Sequence, residues 1–473
     1  MTNAPSPDLV ARFAAIVGPA HALTRDDDTL PYRIEWRDRF PGKTPLVLRP
    51  GSRDEVAAIL ALANETRTAI VPQGGNTGLV GAQVPDQSGT EVVLSLDRMM
   101  RIRAVDAEGY TMTVEAGAVL ADVQAAAEAA DRLFPLSLGA EGSCRIGGNI
   151  SSNAGGTAVL AYGNTRDLVL GLEVVLADGR VWEGLNALRK DNTGYDLKQL
   201  FIGGEGTLGV ITAAVLKLFP RPKGQAVAFV AVESPAAALS LFQLARERAG
   251  HDLSGFELMP RIGLDFVLAH LPGTRDPLAA PSPWYVLIEI GSGHSDEAAS
   301  ATLEDVLGTA FEAGTVADAA LAQSLADRQA FWHLRHGMSE AQKPEGGSIK
   351  HDISVPVARV PAFLDEAIAA VEAMVPGCRP VPFGHLGDGN IHFNVSQPVG
   401  ADKAAYLARW EEMNALVHGI VARYHGSISA EHGIGVLKRD LLPGVKGPVA
   451  MDMMRSIKAA LDPNGILNPG KML

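Results

Sequence analysis

In residues 52–67, SRDEVAAILALANETR, apolar positions recur every three to four residues, the spacing of a helix with one face turned to a core. Ser52 or Asp54 stands where a cap is needed. A strand-like LVLRP precedes this helix, and AIVPQGG (69–75) reads as a buried strand running into a glycine loop. Before them, residues 1–45 predict a short helix and then a polar, aromatic segment, YRIEWRDRFPG. Between 92 and 117 two further strands are expected, VVLSL and TMTVEAG, followed by an amphipathic helix over 118–132. LGLEVVLADGRVWEG predicts a hairpin turning at Asp178-Gly179, and KLFPRPKG is a proline-rich exit.

Beyond that exit the pattern changes. Strands such as AVAFVAVE and PWYVLIEIG alternate with helices at 234–249, 296–313 and 360–374, which fits an antiparallel sheet covered by helices. AHLPGTRDPLAAPSP is expected as a surface loop. Residues 421–473 predict a helix, a loop containing SAEHGIG, a helix over 448–461 and a terminal segment. The expectation is an α+β chain in four parts: 1–44, 45–224, 225–420 and 421–473. No repeat of fixed period is visible.

Composition narrows this picture modestly. The chain has 473 residues, enough for two or three cores, with 47% apolar and 20% charged residues. A net charge of −13 without a dense Lys/Arg cluster argues against nucleic-acid binding. Only Cys144 and Cys378 occur, without metal-ligand spacing, so no disulfide framework organises the fold. A reducing, cytoplasmic setting is the expectation, with no secretory signal and no apolar run long enough to span a bilayer.

Candidate chemistry lies in GHLGDGNIHFNV (384–395) and SAEHGIG (429–435). Strand alternation puts Ile391, Phe393 and Val395 on one face and His392 and Asn394 on the other, with His385 across a Gly387-Asp388-Gly389 turn. Each histidine alone reads as a core residue donating to a carbonyl. Together with Glu431, His385 and His392 make a plausible ligand set for a divalent ion with one position open, and the adjacent His432 could act as a base. Asp388 would stabilise its turn or a ligand imidazole.

Three loops rich in Gly, Ser and Asn (72–81, 139–157 and 203–209) crowd into one 225-residue stretch. PQGGNTGLVG alone is a surface turn or an anion-binding nest. So much backbone freedom is costly unless something approaches the backbone closely, and an extended ligand with phosphates and a flat ring system would fit. Gly204, Gly206 and Gly209 form a literal GxGxxG, but a β-rich VITAAVLKLF comes next and no acid appears until Glu233. A dinucleotide fingerprint has to open a helix, so the Rossmann reading is rejected.

In one order along the chain, PQGGNTGLVG, PLSLGAEGSCRIGGNISSNAGG, YGNTRDLVLGLEVVLADG, LRKDNTGYDLKQLFIGGEGTLGVIT, WHLRHGMSE, GHLGDGNIHFNV, SAEHGIGVLKRD and LDPNGILNP cover most of residues 45–470. Through them the chain resembles the FAD-linked D-2-hydroxyacid dehydrogenases of the vanillyl-alcohol-oxidase (PCMH-type) flavoprotein superfamily. The resemblance implies a PCMH-type FAD-binding domain, then an antiparallel-sheet-plus-helices substrate domain, and a helical C-terminal segment completing the site. It implies FAD, with Gly74, Gly75, Asn76, Thr77 and Gly78 at the pyrophosphate and Pro72 also among the cofactor-binding residues. Gly139, Ser143, Gly147, Gly148, Asn149, Ser152 and Asn153 would line the flavin and ribityl chain, and Gly206, Val210, Ile211 and Asn468 complete the cofactor set. Asn76 stands where some relatives carry a flavin-linking histidine, which implies dissociable FAD.

The resemblance also assigns metal ligands (His385, His392, Glu431), zinc first with manganese, cobalt or iron fitting the same set, and a base (His432). Arg335, Ser339 and Lys350 would grip a distal carboxylate, and Asn394 and His432 would contact the substrate near C1. The chemistry implied is oxidation of a 2-hydroxy acid, with its C2 hydride passing to flavin N5. Two cationic grips favour D-2-hydroxyglutarate, oxidised to 2-oxoglutarate, with D-malate, D-lactate or glycolate as alternatives. An electron-transfer flavoprotein, a quinone or a cytochrome would accept the electrons, and a homodimer is the base-rate expectation. A flavin-free metal hydrolase and a non-catalytic flavoprotein subunit are the rivals from other classes.

Overall fold

In the computed structural model, residues 4–473 are described and form two compact units. The first comprises residues up to Gly156, then Gly163–Arg221 and Glu431–Leu473; the second comprises Thr157–Tyr162 and Pro222–Ala430. The expected boundary after 224 lies close to the division at 221/222. The expected boundary after 420 falls inside the helix Trp410–Arg423, whose Met413, Val417, Ile420 and Val421 are buried in the second unit's core. A continuous apolar stripe keeps that helix whole, and the division comes at 430/431. The segment before residue 45 is part of the first unit, where Ala22–Leu23 pairs with Val47–Leu48.

The first unit contains two main sheets. In the smaller, strands run in the order Ala22–Leu23, Val47–Leu48, Val92–Ser95, Ile70–Gln73. Val47–Leu48 and Ile70–Gln73 both run parallel to Val92–Ser95, a geometry that requires a crossover. The helix Arg53–Thr66 supplies it. The Ser52 hydroxyl accepts from the Glu55 N–H at 3.2 Å, and Val56, Ile59, Leu60 and Ala63 turn inward at helical spacing. The C-terminal tail docks on this sheet, with the Ile70 N–H donating to Ile466 O and the Asn468 N–H to Ile70 O, each at 2.8 Å. A buried Lys471–Glu91 ion pair at 3.3 Å anchors the tail further.

The larger sheet is antiparallel, in the order Ile102–Asp106, Thr111–Glu115, Val210–Lys217, Val169–Val175, Val181–Gly184. Its last two strands are the expected hairpin, with Gly179 at φ +85° in the turn. Gly204, Gly206 and Gly209 lead into the strand Val210–Lys217, not into a helix, as the rejection of a Rossmann fingerprint requires. The helix expected over 118–132 spans Leu120–Ala129. Near the C-terminus the helix Leu442–Leu461 breaks its geometry at Gly447 (φ +74°), immediately before the expected start at 448, because Pro448 cannot continue the hydrogen-bond ladder.

The second unit is built on a seven-stranded antiparallel sheet. Its order is Asp318–Leu321, Gly224–Val232, Trp284–Ser292, Leu253–Pro260, Arg379–His385, Asn390–Ser396, Ser348–Ser354. One face packs against the helices Pro235–Ala249, Asp296–Glu312, Val360–Met374 and Trp410–Arg423, burying Ile391, Phe393 and Val395 among others. The opposite face is apolar where the helices Arg261–His270 and Leu325–Ala341 cover it, through Met259, Phe331, Leu334, Met338 and Phe383. Further along, that same face turns polar. Among the described residues, no helix is long and apolar enough to cross a membrane.

Candidate active site

The first unit holds an open cleft that spans about 870 Å³ when space open to solvent is included. Its floor comes from the strand end and loop at Pro72, Gly75, Asn76, Thr77 and Gly78. One wall is the helix Ile146–Ser152, presenting Gly147, Gly148, Asn149 and Ser152. The loop at Gly206 and the start of the next strand, Val210 and Ile211, complete it. Gly74, Gly139, Ser143, Asn153 and Asn468 are not among the lining residues. Asn153 caps the helix at φ +49° and accepts from the Arg166 N–H, while Asn468 Nδ2 donates to Ala82 O and Glu205 O.

Two of the glycines have opposite reasons to be glycine. A Cβ at Gly75 would sit 2.1 Å from Ser143 O, so the first and second loops can pass each other only without a side chain there. A Cβ at Gly148 would meet nothing within 4 Å; the space beside it is the cleft itself. The Oδ1 atoms of Asn76 and Asn149, both lining residues, are buried without a hydrogen-bond partner. Buried polar atoms are rarely left so unless water or a bound group completes them. An exposed backbone shelf and waiting amide oxygens fit a long polar cofactor such as FAD. The Asn76 amide nitrogen is already taken, donating to Pro31 O and Ile34 O at 3.0 and 2.9 Å.

His432 also lines this cleft, and its loop is held by a residue that sequence reasoning passed over. Glu205, 8% exposed, accepts from the Ile434 N–H at 2.6 Å and the Gly435 N–H at 2.8 Å. Burial pushes its carboxyl up, while these two N–H groups and Lys438 oppose the rise. Gly433, at φ +84°, leaves room for that carboxylate, since a Cβ there would stand 2.5 Å from Glu205 Oε1. The signal for Glu205 lay in the very GGEGTLG loop read for its glycines: an acid between glycines in an otherwise apolar neighbourhood.

In the second unit, cross-strand register gathers the polar face. Asp352 lies opposite His392 and Lys350 opposite Asn394 on paired strands, and Glu257 lies opposite His385. Directly opposed residues project to the same side of a sheet. His385 and His392 offer ring nitrogens within 4.8 Å of each other, their rings edge-on with centroids 5.6 Å apart. Asp352 Oδ1 lies 4.0 Å from His392 Nδ1. Asp388 holds its turn by accepting from the Asn390 N–H at 2.9 Å; burial pushes its carboxyl up to about 6 against the pull of His385.

Glu257 is the second residue missed from sequence. His385 Nδ1 and its Oε1 are 2.6 Å apart, and Arg335 Nε donates to Oε2 at 2.7 Å. Burial alone would raise this carboxyl, but the charges of His385 and Arg335 bring it down to about 2. Its only sequence signal was a lone acid in the strand LSGFELMP. Arg335 is buried on the helix Leu325–Ala341 with its guanidinium 4.8 Å over the Phe383 ring. One turn on, Ser339 is exposed, and its carbonyl accepts from Lys350 Nζ at 3.3 Å. Asn394 is buried beside them.

Glu431 opens the C-terminal segment one peptide bond after Ala430, whose N–H donates to Asp352 O at 3.3 Å. The Glu431 carboxylate and a His432 ring nitrogen come within 4.8 Å of each other.

A family model described as FAD binding domain matches residues 44–184, and one described as FAD linked oxidases, C-terminal domain, matches residues 221–472. The protein is an FAD-dependent oxidoreductase. A probable mitochondrial D-2-hydroxyglutarate dehydrogenase of Oryza sativa subsp. indica is 41% identical over 467 residues, covering 98% of this chain and 82% of that one. A D-2-hydroxyglutarate dehydrogenase of Xanthomonas citri pv. viticola is 39% identical over 449 residues, covering 95% and 93%. The chain belongs to the FAD-linked D-2-hydroxyacid dehydrogenases of the PCMH-type flavoprotein family. The crystal structure of p-cresol methylhydroxylase with substrate bound shares the fold, with a TM-score of 0.74 at 17% identity over 98% of this chain and 96% of that one.

Proposed function

We propose that this protein oxidises D-2-hydroxyglutarate to 2-oxoglutarate. The observation that carries the proposal is the convergence of two cations, Arg335 and Lys350, on the sheet face that bears His385 and His392. A dicarboxylate can engage both ends of such a face, whereas lactate or glycolate has no second carboxylate to offer these cations. The names of the rice and Xanthomonas relatives agree with this choice.

Arg335 and Lys350 would bind the distal carboxylate, the first through a planar donor fork and the second as a point charge. Ser339 borders that grip, and Asn394 orients the substrate near C1. His432 takes the proton from the C2 hydroxyl on a ring nitrogen as the C2–H bond breaks. Gly75, Asn76, Gly148, Asn149 and Gly206 would hold FAD without a covalent bond, and its flavin would supply the hydride acceptor. A divalent ion, zinc by choice of ligands, would be held by His385, His392 and Glu431 and would polarise the hydroxyl as a Lewis acid. Ligand geometry within the second unit and the anchoring of Ala430 beside His392's partner strand support that set. The proposal extends to a cytoplasmic homodimer that passes electrons to an electron-transfer flavoprotein, a quinone or a cytochrome.

Anaerobic mixing with a panel of D- and L-2-hydroxy acids tests the substrate. D-2-hydroxyglutarate should bleach the flavin fastest, and Lys350→Ala should lose rate on it far more than on D-lactate. Equal losses on the two would overturn the dicarboxylate assignment. Chelation should stop turnover while flavin stays bound; activity surviving complete metal removal would refute the ligand set.

A further inference from the structure

One buried carboxylate joins the two halves of the polar face. Glu257 is 1% exposed, and its two oxygens are divided between Arg335 Nε at 2.7 Å and His385 Nδ1 at 2.6 Å. Arg335 arrives from the helix Leu325–Ala341, His385 from the end of the strand Arg379–His385, and Glu257 from the neighbouring strand Leu253–Pro260. We propose that Glu257 is a positioning residue that couples the grip on the substrate's distal carboxylate to the geometry of the metal-ligating His385. This rests on the assignment of His385 as a ligand and Arg335 as a carboxylate grip.

The physical basis is the shared acceptor. A carboxylate on Nδ1 fixes that nitrogen as the donor, presents Nε2 for coordination and raises the ring's basicity. The same group is rigid and planar, so a rotation that followed Arg335 would carry its second oxygen along and tilt His385. Phe383 stacks under the guanidinium at 4.8 Å, and cross-strand pairing sets Glu257 opposite His385, which leaves little freedom to relax otherwise. Charge-assisted hydrogen bonds in a site so well shielded from water are strong enough to transmit a displacement. A substrate with a distal carboxylate therefore pulls on the ligand shell through Arg335, and one without it does not. Discrimination between dicarboxylate and monocarboxylate should then appear in kcat as well as in KM.

The test uses the FAD-loaded full chain and zinc, titrated against a chromophoric chelator in the absence of substrate, with kinetics at saturating zinc afterwards. The wild-type titration comes first: failure to bind zinc there, or zinc-independent turnover, counts against the metal assignment itself. Given wild-type binding, Glu257→Gln should weaken zinc by roughly 10- to 100-fold. With zinc saturating, it should also collapse the preference for D-2-hydroxyglutarate over D-lactate, by a fall in kcat for the dicarboxylate alone. Glu257→Asp keeps the charge and should restore a good part of both. If Glu257→Gln does not fold, Glu257→Asp carries the test, with smaller losses in the same two readouts. Unchanged zinc affinity in a folded variant would overturn the proposal. So would weakened zinc with an unchanged substrate preference, since Glu257 would then orient His385 without linking it to Arg335.

Discussion

Replacing Gly148 by alanine should make the cofactor-free protein more stable and the cofactor-bound protein less so. Gly148 lies inside the helix Ile146–Ser152, and an added Cβ would meet nothing within 4 Å, so no packing penalty opposes the change. Glycine inside a helix costs about 1 kcal/mol relative to alanine, which sets the ceiling on the gain. The new methyl would stand in the cleft, on the surface proposed to face FAD. Moving a cofactor off a close backbone contact should cost it about 1.4 to 2.8 kcal/mol, a loss in affinity of about 10- to 100-fold. Since binding stabilises by RT ln(1 + [L]/Kd), each tenfold loss removes about 1.4 kcal/mol of FAD-dependent stabilisation. Thermal unfolding with and without added FAD, beside a fluorescence titration of the apoprotein, reads both effects. Equal FAD-induced shifts in variant and wild type would show that the cofactor does not lie against Gly148.

Two further changes test contacts that hold the site's scaffold. Glu205→Gln presents an amide NH2 to one of the two N–H groups it now accepts, so one hydrogen bond to the His432 loop is lost at about 1–3 kcal/mol. Flavin should remain bound while kcat falls, and an unchanged kcat would show that the loop needs no such anchor. Lys471→Met leaves buried Glu91 without its cation and should cost about 3–5 kcal/mol in thermal or urea unfolding. Burial already pushes the Glu91 carboxyl up against the pull of Lys471, so in the variant it rises further. A folded-state pKa above the unfolded one means the loss is small below the ordinary carboxylate range and grows as pH rises through the raised value. A pH-independent loss would refute this, and adding Glu91→Gln should recover much of it.

Local pattern carried the elements well, because their signals are short-range. Ser52 caps its helix, Asp178-Gly179 turns its hairpin, and the alternation in GNIHFNV buries Ile391, Phe393 and Val395 while turning His392 the other way. Boundaries were less legible: the helix Trp410–Arg423 runs through an expected domain edge because its stripe belongs to the core before it. Glu257 and Glu205 escaped notice for a different reason. Glu257 meets His385 across 128 residues of sequence and Arg335 across 78, and Glu205 meets Gly435 across 230. No short window along the chain contains any of these pairs.

By itself, the sequence determined which residues could do chemistry and which backbone stretches must stay bare. Side-chain type and spacing are local properties, and a glycine loop or a histidine on one face of a strand is written in a few consecutive letters. Tertiary structure alone decided who shares a proton or a charge. Strand register set Glu257 opposite His385 and Lys350 opposite Asn394, and helix packing brought Arg335 down onto the same carboxylate. A shift of one residue in a strand's register would send its contributing side chain, Glu257, His385, Lys350 or Asn394, to the other face. The hydrophobic burial that forbids such a shift belongs to the whole sheet.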